Sequence, residues 1–112
     1  MKAVLTKSFR FSASTTRGGR ILGKNFILDI ALEALSVEGE EAFEKKTRDG
    51  LIRPLESVDL GLHVDFLKGV EITDLNLLKA FWREMERLCP EFKLLSMTLR
   101  RDESTRTTLS FF

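Results

Sequence analysis

At 112 residues, 43% hydrophobic and 31% charged, the chain has the size and composition of one globular domain, taken as 1–112, and not of a disordered segment. Eighteen basic residues against seventeen acidic ones leave a net charge of +1, which gives neither the basic field of a nucleic-acid binder nor an acidic field for a basic partner. A single cysteine excludes an intrachain disulfide framework and fits a reducing, cytoplasmic setting; no apolar run is long enough for a bilayer, and no signal peptide is expected at Met1.

From Ala3 to Ser12, Ala3, Leu5, Phe9 and Phe11 alternate with Lys2, Thr6, Ser8, Arg10 and Ser12, the period of a half-buried strand. The stretch SASTTRGGR reads as a loop. A second strand is expected from about Lys24 to Leu35. Phe26, Leu28, Ile30 and Leu32 share one face, while Ile27, Ala31 and Leu35 make the other partly apolar, so that face is expected to be covered by helices or by another subunit. Glu41–Leu55 reads as a helix weakened by Gly50 and ended or kinked by Pro54, and the mixed charges of EGEEAFEKK suit an exposed face. Ser57–Glu71 reads mostly as loop.

Thr73 is a good N-cap for Asp74–Leu88, whose stripe is Leu75, Leu78, Phe81, Trp82, Met85 and Leu88; Pro90 follows as a stop. Leu94–Arg101 alternates as a third strand, RDEST turns, and Thr105–Phe112 is a fourth. The order β-β-α-α-β-β, with strands joined in local pairs, predicts an α+β fold: an antiparallel four-stranded sheet with two helices on one face.

That order, with Phe11-Ser12-Ala13-Ser14-Thr15, Leu22-Gly23-Lys24-Asn25-Phe26, Val58-Asp59-Leu60, Ile72-Thr73-Asp74-Leu75-Asn76, Trp82 and Arg101-Asp102 along it, resembles the 6-pyruvoyl-tetrahydropterin synthase family, which includes the 6-carboxytetrahydropterin synthases of queuosine biosynthesis. The resemblance runs over nearly the whole chain. It implies the tunnelling fold (T-fold), in which subunits join their sheets into a barrel with sites at subunit interfaces. It also implies a zinc ion on three histidines, a catalytic cysteine before the second strand, a relay histidine, and a glutamate that anchors the pterin.

The residues at those positions depart from the pattern. The zinc ligands are matched by Thr15, Leu22 and Lys24, of which leucine cannot ligate and an ammonium repels a dication; zinc is therefore expected to be absent, and no other cofactor is implied. No cysteine lies before the second strand, and Cys89 reads as a helix-end residue packed on the core. The relay position falls on Leu60, beside Asp59. The anchor position falls on Arg101, a donor-only group, or on Glu103 if the register slips by two.

Two readings of function follow. In the first, the chain is a non-catalytic homo-oligomer, joined through sheet edges, that holds an anionic or purine- or pterin-like ligand; Thr15, Lys24, Arg101 and Glu103 are its candidate binding residues. In the second, it is a metal-independent enzyme of pterin or deazaguanine metabolism, with Asp59, His63 or Lys24 as acid or base. Co-assembly with a catalytic paralogue is a third expectation. Nucleic acid and membrane are not expected partners. Arg17, Arg20 and Lys24, and Arg100, Arg101 and Arg106, read either as an anion pocket or as solvated strand ends, the latter favoured. RGGR lacks the strand–loop–helix context of a phosphate loop.

Overall fold

Period-two patterning carries the first half of the chain further than the loop residues suggest. The structure, a computed structural model, describes residues 3–17, 20–60 and 64–110; the side chains of 16–17 and 20–23 are outside the description. β1 (Val4–Arg17) and β2 (Arg20–Glu33) pair antiparallel over their full length, from Val4↔Glu33 to Arg17↔Arg20. β3 (Leu94–Arg100) and β4 (Arg106–Ser110) complete an antiparallel sheet in the order β1-β2-β3-β4. The stretch read as a loop, SASTTRGGR, is therefore strand as far as Arg17. Cross-strand pairing outweighs the weak local preference of its small residues.

Directly opposed residues point to the same side of an antiparallel pair. Phe9 with Leu28, Phe11 with Phe26, and Ile30 with Met97 thus build the core side. Phe11 and Phe26 stack at 5.0 Å between ring centroids, and Phe81 meets Phe11 edge-on at 6.2 Å. The opposite side carries the rows Thr6–Ala31–Ser96–Ser110, Ser8–Asp29–Thr98–Thr108 and Arg10–Ile27–Arg100–Arg106. This side is polar around Ile27 and Ala31, more so than the strand pattern implied. Leu35, assigned to it from the sequence, lies beyond the end of β2 and packs partly buried against the core.

Two helical rods cover the core side. The first is α1 (Val37–Thr47), continued through a π-helical turn (Arg48–Ile52) into α2 (Arg53–Leu55). It starts four residues before the expected Glu41, because Ser36 accepts a hydrogen bond from the Gly39 N–H at 3.1 Å. Its charged face is more than solvated surface: Phe43 is fully buried, and Glu40 and Glu44 grip Lys7 of β1 at 3.0 and 3.3 Å. Gly50 does not break the rod. A Cβ there would lie 2.7 Å from the Leu88 side chain, so its absence permits close approach to the second rod. Pro54 precedes the end at Leu55, as expected.

The second rod, α3 (Asp74–Leu88), has the predicted bounds, and the Thr73 hydroxyl accepts from the Asn76 N–H at 3.1 Å. Its buried arc is Leu77, Leu78, Ala80, Phe81 and Met85. Leu75 is 44% exposed. At 100° per residue it lies about 120° from the centre of that arc, so the stripe read from the sequence was rotated.

Candidate functional site

β3 stops at Arg100, opposite Ile27, whereas β2 runs on to Arg20 paired only with β1. The unequal lengths leave a notch where β1 and β2 project past the rest of the sheet. A cleft of about 610 Å³ occupies it, bounded by Arg10, Ile27, Glu56, Arg101, Glu103 and Arg106, among others. Its apolar side chain on the Arg10 side of the sheet is Ile27; Phe11 and Phe26 border it but are buried on the core side. The volume lies in the usual range for a small-molecule pocket.

The arginines divide into two kinds. Arg100 is held by Asp29: one terminal nitrogen donates to Oδ1 at 3.0 Å, and Nε lies 2.9 Å from Oδ2 at too poor an angle for a hydrogen bond. Arg101 donates from Nε to Asp74 Oδ2 at 2.8 Å, tying the β3 end to the start of α3. Arg10 and Arg106, both exposed, have no ion pair among the described residues. The carboxylates differ in the same way. Asp102 is spent on its own turn, accepting from the Ser104 N–H, the Ser104 hydroxyl and the Thr105 N–H, and these bonds hold its carboxyl below the usual range, the Ser104 N–H contributing most. One oxygen of Glu56 accepts from the Ser12 N–H at 2.9 Å. Glu103 is exposed, with no such bond among the described residues. Both registers considered for the anchor position, Arg101 and Glu103, therefore line one cleft, with only Glu103 available as an acceptor.

A second cavity, of about 380 Å³, shares Ser12 and Asn25 with the first and adds Ala13, Ser14, Lys24 and Ser57. The segment after α2 makes its wall by running along the outer edge of β1: Ser57 N–H donates to Ser12 O at 2.6 Å, Ser14 N–H to Val58 O at 2.9 Å, and Leu60 N–H to Ser14 O at 2.9 Å. Asp59 forms the parallel bridge to Ser14, is 9% exposed, and lines neither cavity. Leu60 is fully buried in the core. Cys89 caps α3 and is buried, which pushes its thiol upward and accords with the packing role read from the sequence. His63 lies outside the described residues, as do the side chains of Arg17, Arg20 and Leu22.

No protein-family profile and no curated protein sequence matches the chain. Solved structures do. Caenorhabditis elegans 6-pyruvoyl tetrahydropterin synthase superposes with a TM-score of 0.83 over 100% of this chain and 97% of its own, at 12% identity. An uncharacterized protein from Wolinella succinogenes superposes at 0.64, covering 98% of both chains at 9% identity. The fold is the T-fold. At such identities the likeness carries the fold alone.

The T-fold ladder brings the three positions matched to zinc ligands together. Thr15 is opposite Leu22, and Lys24, two residues along, is opposite Ala13. Their chemistry does not fit the ion: a hydroxyl, an alkyl side chain and an ammonium supply no imidazole, thiolate or carboxylate. Among the described residues no three His, Cys, Asp or Glu side chains gather into a metal site elsewhere. Lys24 is half-buried and has no ion pair among the described residues.

Sequence reasoning missed Arg10, Asn25, Glu56 and Ser57. Arg10 had a signal, since its even position assigns it to the polar side of β1. Only the strand register brings it into one row with Arg106.

Proposed function

We propose that this chain is a divergent, zinc-free T-fold protein that binds a small anionic ligand of purine- or pterin-like shape without the chemistry of the 6-pyruvoyl-tetrahydropterin synthases. The reading rests on one observation: the 610 Å³ cleft sets Arg10 and Arg106, which have no ion pair among the described residues, beside Ile27 and the carboxylate of Glu103, which accepts no hydrogen bond among the described residues. Arginines suit the anionic group, the Ile27 side chain can pack on a flat ring, and a carboxylate accepts from ring N–H and amino donors. The donors at the matched zinc positions support the absence of the metal. The same protein is proposed to assemble with copies of itself through its sheet edges.

Calorimetric titration with neopterin and with guanosine monophosphate tests the binding. At least one should bind, and Arg106→Glu should weaken the phosphate-bearing ligand by about 1.5–3 kcal/mol, the range for a charge-assisted hydrogen bond. Equal affinity in the variant would remove the cleft from the account. Turnover of dihydroneopterin triphosphate by the metal-free protein would instead establish the enzyme reading.

A further inference from the structure

A further cavity, of about 440 Å³, opens at the C-terminal end of α3, with Trp82, Glu86, Pro90, Phe92 and Leu94 in its lining. Leu94 begins β3 and Arg100 ends it, so the arginine cleft lies about 20 Å away at the rise of a strand. Trp82 and Glu86 stand one turn apart and share a face of α3. Trp82 is half-buried, and its indole N–H has no hydrogen bond among the described residues. Phe92 packs edge-on against Phe43 of α1, at 5.3 Å between ring centroids, which fixes its ring. The polar groups are mostly acceptors. Two charged neighbours are committed, Glu91 to Lys46 at 2.6 Å and Lys93 to Glu33 at 3.6 Å. Glu86 is exposed, with no ion pair among the described residues. Its backbone carbonyl also lacks its helical donor, which would be the N–H four residues on, because Pro90 has none. The carbonyls of Arg87 and Leu88 have no backbone donor among the described residues either. These oxygens are the negative end of the α3 dipole.

We propose that this cavity binds a guanidinium group. Its plane stacks on the Trp82 indole, and its N–H groups donate to the Glu86 carboxylate and to the helix-end carbonyls. A phosphate or carboxylate would meet acceptors and the wrong end of the helix dipole. The group comes either from a free small molecule or from an arginine side chain of a partner. The site is independent of the binding function proposed for the arginine cleft.

Trp82 is the only tryptophan, so the indole fluorescence of the full chain reports this site directly. Titration with ethylguanidinium should change it saturably at millimolar concentration. Glu86→Gln should weaken that binding about tenfold, as expected for loss of a charge-assisted hydrogen bond, and should leave the melting temperature unchanged because the position is exposed. Tetramethylammonium has the same charge and no N–H donor, and should bind more weakly. No saturable change with ethylguanidinium, or native affinity in Glu86→Gln, overturns the site. Tetramethylammonium binding as tightly as ethylguanidinium overturns its assignment to a guanidinium. N-acetyl-arginine methylamide separates the two sources of the group. Affinity equal to that of ethylguanidinium assigns an arginine side chain of a partner, and binding of ethylguanidinium alone assigns a free small molecule; either result upholds the site.

Discussion

Lys7 is a charged residue on the core side of its strand, and its neighbours explain how it is tolerated. Glu40 and Glu44 reach it from α1, Arg48 donates to Glu44 at 3.1 Å, and the Arg48 guanidinium lies 5.3 Å from the Phe9 ring centre. The hydrogen bond from Arg48, and after it the one from Lys7, holds the Glu44 carboxyl below its ordinary value of 4.5. A carboxyl lowered by folding stabilises the folded state above its unfolded pKa, and that contribution is lost as pH falls through the folded value. Native protein should therefore resist urea better than Glu44→Gln at about pH 6, and the difference should shrink progressively as the pH falls below 4.5. A difference that persists on acidification would show that Glu44 acts by packing and not by charge. Glu44 is more than a third exposed, so solvent keeps the effect small. The sequence disclosed the charges here but not their pairing, because residues 7 and 44 meet only once the rod lies on the sheet.

Helix ends were readable where a capping residue preceded a strong stripe, and misread where the stripe was thin. Thr73 and Asp74–Leu88 stand as the sequence implied. Ser36 went unrecognised because α1 has few apolar residues, with Phe43 and Thr47 its only buried ones. The two caps make the same bond, a side-chain oxygen to an N–H three residues on. Thr73→Ala and Ser36→Ala should each lower stability by about 1 kcal/mol in chemical denaturation. A loss at Thr73 with none at Ser36 would mean that α1 is set by its contacts with β1 and α3 and not by its cap. Strand periodicity was the more reliable signal. Alternation placed Phe9, Phe11, Phe26, Leu28 and Ile30 on the buried side correctly, because only one face of this sheet is covered by helices; in β3, where Leu95, Met97 and Leu99 alternate, a register shift beside Leu32 buries Leu94 with Met97 and Leu99 and leaves Leu95 half-buried.

The assembled molecule leaves two sheet edges, and they are unequal. On β1 the N–H groups of Ser12 and Ser14 point outward and are satisfied by Glu56 and Val58. By the same phase the N–H of Thr6 points outward, and no backbone segment covers it among the described residues. β4 is the other edge, with no strand paired to its far side among the described residues. Unpaired edges invite strand addition, and two complementary edges on one chain suit joining of copies head to tail. Thr6→Pro would remove one outward donor while sparing the β1–β2 ladder. If copies join through this edge, light scattering should report a smaller particle for Thr6→Pro, with the circular dichroism of the native protein. An unchanged mass would assign assembly to another surface, such as the face around Ile27 and Ala31.

Local chemistry along the chain was enough for the element order, the buried side of β1 and β2, the α3 cap, the packed role of Cys89, and the misfit of Thr15, Leu22 and Lys24 to a zinc ion. Each is a property of neighbours in sequence: a period, a capping side chain, a donor type. Tertiary structure alone decided that β3 ends where β2 continues, which opens the cleft. It also decided that Arg10 and Arg106 share a row while Arg100 and Arg101 are already paired, and that Ser57 lies along the outer edge of β1. Periodicity states which way a side chain faces but not what stands across from it. Strand register and the docking of the rods settle that, because they depend on burying the whole core at once.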